Sequence, residues 1–155
     1  MDIQVSSYIA QEFNLYNDGR IPLIDSLETY DGTAIPFKDI SGGTDLFVYF
    51  DTSGCPPCKE LAFKALSEYK TKKPDSRISL LLENVRNRDL LVMQKELHDS
   101  YIFLKIRKFP FKKVDKEDEM LSPVFFQIDS TGVFTNCFKV DLNHPEDLKE
   151  YIERI

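Results

Sequence analysis

Three short, predominantly apolar runs without a polar alternation constrain this chain most. They are Leu46–Phe50 (LFVYF), Ile78–Leu82 (ISLLL) and Val124–Ile128 (VFFQI). A strand with one wet face alternates apolar and polar residues; a run that does not alternate is covered on both faces. Three such runs predict the middle strands of a mostly parallel sheet with helices above and below. A membrane span needs about 20 consecutive apolar residues, and no run in this chain comes near that.

The segments between these runs have helical periodicity. After Cys58, residues Leu61, Ala62, Ala65, Leu66 and Tyr69 form a stripe at helical spacing. Lys70, Lys72 and Lys73 crowd the end of that helix, where cations suit its dipole, and Pro74 stops it. A second helix is expected over about 89–99, with Leu90, Met93 and Leu97 on one side. Tyr101–Ile106 reads as a short strand, and residues 105–119 as a charged loop. Ser130-Thr131-Gly132 is a tight turn into a hairpin strand, Val133–Val140. Pro145, Glu146 and Asp147 open a last helix, whose stripe is Leu148, Tyr151, Ile152 and Ile155. His144 stands where it can help cap that helix. Upstream, Asp31-Gly32 is a turn between extended pieces Ser26–Tyr30 and Ala34–Lys38, and Asp39–Thr44 is a loop. Residues 1–26 have no clear period and read as an N-terminal extension packing on a single domain over 27–155. The fold class expected is α/β, a central mixed sheet flanked by helices.

With 155 residues, the chain can bury a core without a disulfide scaffold. Its three cysteines therefore point to chemistry or ordinary packing. The net charge of −6 argues against nucleic acid as a partner. The first twenty residues carry neither a basic n-region nor an apolar h-region.

The chemistry concentrates in DTSGCPPCKEL, residues 51–61, directly after the first apolar run. A cysteine at a helix start sits beside unpaired N–H groups and the positive end of the helix dipole, which favours thiolate. Cys55 holds that position and Cys58 lies one turn inward, on the buried side with Leu61 and Leu66. The spacing lets the second sulfur resolve a mixed disulfide formed by the first. Pro56 and Pro57 suit a first helical turn, where their missing N–H groups would be unpaired in any case. Cys55 and Cys58 are thus the catalytic candidates, Cys55 attacking and Cys58 resolving. Their own disulfide is the redox centre and no further cofactor is expected.

The strand FVYFDTSGCPPCKEL leading into an amphipathic helix resembles the thioredoxin superfamily. SPVFFQIDSTGVF is similar to that family's cis-proline loop, strand and turn. The leading strand pair LETYDGTAIPFKDI, the CPPC motif and the extra strand–helix unit resemble the TlpA/ResA-like thiol–disulfide oxidoreductases. The resemblance covers roughly residues 27–155. It implies that Pro123 is a cis proline near Cys55, and that Ser122 offers its backbone to a bound substrate strand. Gly54 and Pro56 complete the implied substrate groove. The implied partners are protein thiol or disulfide substrates and an upstream thiol electron donor, with no integral membrane segment in this chain. The implied setting is the bacterial periplasm or cell envelope, with the targeting segment absent from the sequence as given; the cytoplasm stays open.

The chain departs from the family in three places. Gly54 replaces the usual Trp, which predicts a more open or flexible docking surface. Tyr49 stands where thioredoxins bury an Asp. Leu61 stands where ResA-like members carry a Glu, which leaves Glu60, one place earlier, as the candidate acid–base helper. The plainer reading of Glu60 and Asp51 is surface charge near a helix N-terminus.

Other readings stand beside this one. A static disulfide or half a zinc site would use the same cysteines, but Cys137, His98 and His144 lack ligand spacing. A redox-inactive binding module would keep the fold and dock through the N-terminal extension or residues 105–119. Thr52-Ser53-Gly54-Cys55 matches part of a peroxidase motif, although Val48 replaces its proline. A Sco-like copper chaperone needs three residues between its cysteines, and here there are two. Cys137 is assigned no role. On a strand it would share a face with Thr135 and Lys139, opposite Phe134, Asn136 and Phe138.

Overall fold

The computed structural model describes residues 26–97, 100–107, 123–129 and 134–155. The described strands are β1 (Ser26–Glu28), β2 (Ala34–Pro36), β3 (Leu46–Asp51), β4 (Ile78–Glu83), β5 (Ile102–Lys105), β6 (Val124–Ile128) and β7 (Phe134–Lys139). The helices are α1 (Phe37–Ser41), α2 (Pro56–Lys72), α3 (Asn87–Leu97) and α4 (Pro145–Arg154). The strands form one seven-stranded sheet in the order β2-β1-β5-β4-β3-β6-β7. β3, β4 and β5 run parallel, while β1, β2, β6 and β7 join antiparallel, so the sheet is mixed as expected.

Every residue of β3 and of β4 is buried, as the lack of alternation in their largely apolar runs predicts, with the polar Asp51, Ser79 and Glu83 buried among them. Successive side chains alternate between two cores. Leu46, Val48 and Phe50 join Leu80, Leu82, Phe125 and the inner faces of α2, α3 and α4. Phe47 and Tyr49 join Leu81, Val124, Phe126 and Phe37 of α1 on the opposite face. Phe47 stacks on Phe126 with ring centroids 5.1 Å apart.

Of the α2 stripe, Ala62, Ala65, Leu66 and Tyr69 are buried together with Cys58, while Leu61 is half-buried against the same core. Lys72 and Lys73 do more than suit the dipole of their own helix. Lys72 Nζ donates to the Glu153 carbonyl at 2.5 Å, and Lys73 Nζ donates to that of Ile155. The end of α2 thereby satisfies the open C-terminal carbonyls of α4.

Four local readings need correction. The strand expected over Ala34–Lys38 stops at Pro36, because Phe37 turns inward to the second core and opens α1. Asp39–Ser41 is therefore helical rather than loop. His144 occupies the N-cap position of α4 without a side-chain capping bond. In β7 a bulge lets Asn136 and Cys137 oppose Phe126 alone. Asn136 takes a left-handed φ of +49° and drops out of the alternation, leaving Cys137 buried in the second core and Phe138 in the first.

The Asp31-Gly32 turn forms as read, with Gly32 at φ +85°. Residues 1–25 of the expected N-terminal extension, the Ser130-Thr131-Gly132 turn, His98 and most of the 105–119 loop lie outside the described residues. No helix among the described residues is long and apolar enough to cross a membrane.

Candidate active site

The end of β3 delivers the cysteines to the head of α2. Cys55 is the N-cap, at φ −58° and ψ 108°, and Pro56 and Pro57 fill the first helical turn. Cys55 and Cys58 are joined as a disulfide, with Cα atoms 5.3 Å apart. The Cys58 N–H donates to Cys55 Sγ at 3.2 Å. Cys55 is half-buried, whereas Cys58 is 3% exposed and belongs to the first core with Ala62 and Leu66. The cysteine at the helix head is therefore the more accessible of the two.

The remaining candidates scatter more. Pro56 is exposed beside Cys55. Gly54 is buried, and its N–H donates to the Asp51 carbonyl at 2.9 Å, so this position is a locked turn and not an open surface. Pro123 is buried at the start of β6, its carbonyl accepting from Val140 N–H at 2.9 Å. Tyr49 pairs with Val124, so one further step along that register sets Pro123 level with Phe50, at the end of β3 that leads to Cys55. Ser122 and the Ser122–Pro123 bond lie outside the described residues. Glu60 is exposed, and two helical positions from Cys58 it points away from that thiol.

The acids under this end of the sheet are different ones. Asp51 is 2% exposed and Glu83 is 6% exposed, so Asp51 is not the surface charge that its place near a helix start suggested. The two are register partners at the ends of parallel β3 and β4, on the face opposite α2. Tyr49, fully buried, donates its hydroxyl to Glu83 Oε1 at 2.9 Å. Burial, with the nearby Glu83 and Asp51 charges, pushes the Tyr49 phenol well above its ordinary range, so it stays a donor. Where thioredoxins bury an Asp, this chain therefore carries a tyrosine hydroxyl that reaches a buried glutamate from the next strand. The sequence holds one signal for the pair: the apolar runs of β3 and β4 each end in an acid, FD and LE.

Among the described residues, no group of three or more His, Cys, Asp or Glu side chains is placed to hold a metal ion. Cys137 is buried, and burial raises its thiol to about 12. It stays a neutral packing group in the second core.

A mixed sheet with a CPPC pair at the junction of a central strand and its helix defines the thioredoxin-like fold, and the chain adopts it. Solved structures share it. The thiol:disulfide interchange protein assigned as DsbE from Chlorobium tepidum matches with a TM-score of 0.57 at 16% identity, over 88% of this chain and 95% of that one. A secreted Mycobacterium tuberculosis disulfide oxidoreductase homologous to E. coli DsbE matches at 0.51 and 14% identity, over 86% and 97%. Copper-bound yeast Sco1 matches at 0.53 and 18% identity, over 86% and 91%. No protein-family model matches the sequence, and no curated protein does. At these identities the likeness establishes the fold, and the chemistry must be argued from the residues.

Proposed function

We propose that the protein is a thiol–disulfide oxidoreductase of the TlpA/ResA-like kind, acting on protein disulfides in a bacterial cell envelope. One observation carries the reading. Two disulfide-bonded cysteines differ in access, and the more accessible one caps a helix N-terminus. In the reduced protein the Cys55 thiolate attacks one sulfur of a substrate disulfide, and the other substrate sulfur leaves as a thiolate. The Cys58 thiolate then attacks Cys55 Sγ, releasing the second substrate thiol and closing Cys55–Cys58. Two electrons pass from the protein dithiol to the substrate. A dithiol donor returns them by the same exchange in reverse.

Cys55, Cys58 and Pro123 take their roles at the end of the sheet where β3 meets α2. Pro56 borders the sulfur that a substrate meets, and Ser122 supplies the backbone contact. Glu60 fits the role of proton acceptor for Cys58 poorly, because it faces away from the thiol.

The test is an equilibrium titration of the two thiols in glutathione or dithiothreitol buffers, with Cys55→Ser as control. A reversible two-electron couple lost in Cys55→Ser is expected. A midpoint near about −270 mV marks a reductant and one near about −120 mV an oxidant. Absence of a reversible couple would leave a binding module as the reading. Thiols that stay blocked until a chelator is added would make it a metal site.

A further inference from the structure

One carboxylate oxygen gathers three of the bonds that hold the turn carrying Cys55. Asp51 Oδ1 accepts from Ser53 N–H at 3.0 Å, from Ser53 Oγ at 2.6 Å and from Asn84 Nδ2 at 3.1 Å. The Asp51 carbonyl accepts from Gly54 N–H at 2.9 Å. Thr52 lies between these ties and is fixed on both sides. Its hydroxyl donates toward the Asn84 carbonyl at 2.6 Å, and its own carbonyl accepts from Lys59 Nζ at 2.6 Å. Asn84 reaches Asp51 from a left-handed backbone, φ +62°, which an asparagine adopts more readily than most residues.

We infer that Asp51 is a positioning residue for Cys55, its Oδ1 gathering the 51–54 turn and so fixing where the attacking sulfur sits at the head of α2. This rests on the exchange chemistry proposed above. The sulfur has little else to hold it. Pro56 and Pro57 carry no N–H, so the Cys58 N–H is the lone backbone donor among the first three helical residues. If the turn loosens, Cys55 Sγ moves off that donor and no neighbouring N–H takes over. The thiolate is then less favoured and reacts more slowly at neutral pH.

Position can be separated from charge, because all three donors converge on an oxygen that asparagine retains. Asp51→Asn keeps the clamp and removes the negative charge; Asp51→Ala removes both. Asn84→Gly keeps the left-handed backbone and removes one donor. The readout is the rate at which iodoacetamide alkylates Cys55 in the fully reduced protein at pH 7, followed by peptide mass spectrometry.

Positioning predicts that Asp51→Ala slows alkylation roughly fivefold, the factor that follows from losing about one capping bond. Asp51→Asn should return to within about twofold of the parent, and Asn84→Gly should fall between. Equal rates in all four proteins would overturn the inference. So would Ala and Asn variants that shift together, because that is an effect of charge alone. If Asp51→Ala does not fold, the Asn84→Gly and Asp51→Asn rates decide: slowing in the first with near-parental rates in the second supports the clamp, and any other pattern removes it. Failure of the exchange reading itself shows separately, as a parent protein with no reversible Cys55–Cys58 couple.

Discussion

Replacing Tyr49 by phenylalanine deletes one oxygen from the middle of the second core. Tyr49 is fully buried, its partner Glu83 is 6% exposed, and the bond between them is 2.9 Å long. The ring keeps its place beside Phe47, Leu81 and Phe126, so no packing is lost. What is lost is a donor to a carboxyl that solvent does not reach. Losing a hydrogen bond to a buried carboxylate costs about 1.5–3 kcal/mol. In a chain of this length about 1 kcal/mol moves the melting midpoint by about 2–4 °C. A mid-range loss of about 2 kcal/mol therefore lowers Tm by about 4–8 °C. The assay is thermal and urea unfolding of the oxidised protein, with Cys55–Cys58 closed in parent and variant alike. Glu83→Leu supplies the second arm. With the acceptor gone, Tyr49→Phe should cost at least about 1 kcal/mol less than it does in the parent, as a double-mutant cycle of touching residues requires. A Tyr49→Phe variant melting within about 1 °C of the parent, or above it, would refute the argument that this bond ties β3 to β4.

Two further outcomes follow from titrating groups. Burial raises the Cys137 thiol from 9.0 to about 12, so the stability it lends is complete below about 9 and is lost as pH climbs toward 12. In the reduced protein at pH 8, a thiol reagent such as DTNB should reach Cys55 and leave Cys137 untouched until urea unfolds the chain; labelling of native Cys137 would contradict its burial. Hydrogen bonds from the Thr29 side chain and then from Thr33 lower the exposed Asp31 carboxyl from 3.8 to about 2. The support it gives the β1–β2 turn is present above about 3.8 and lost as pH falls through about 2. A carbon-detected NMR titration should show that midpoint, and Thr29→Val should return it toward 3.8.

The parts of this fold that can be read from sequence are those where neighbouring residues carry the signal. LFVYF, ISLLL and VFFQI announce central strands because burial on both faces removes alternation. The α2 stripe and its prolines locate the helix start, and with it both cysteines. Asp51 and Glu83 are legible only in hindsight, because whether an acid is buried depends on its partner across the sheet. Asp51 and Glu83 pair across 32 residues of sequence, and the Tyr49 hydroxyl bridges to Glu83 across 34. The α1 helix was missed for a related reason: a five-residue helix has too little length for a period, and Phe37 sets its direction by packing into a core built from distant strands. Asn136 escaped because a bulge is a property of two strands in register, and alternation within β7 gives no sign of it.

That bulge bears on how the protein keeps its own company. A protein that exchanges disulfides as proposed above meets unfolded chains, whose bare strands seek any free sheet margin to lengthen. Both outermost described strands offer a poor margin. β2 is three residues long and ends in Pro36, which has no N–H to give. β7 is broken at Asn136, where the left-handed backbone interrupts the even row of donors and acceptors. A client chain gains little by zipping on at either side, and two copies of the protein gain little by joining flank to flank. Under the proposed exchange, traffic is left to the end of the sheet that carries Cys55, and a client can be released once its disulfide has been exchanged.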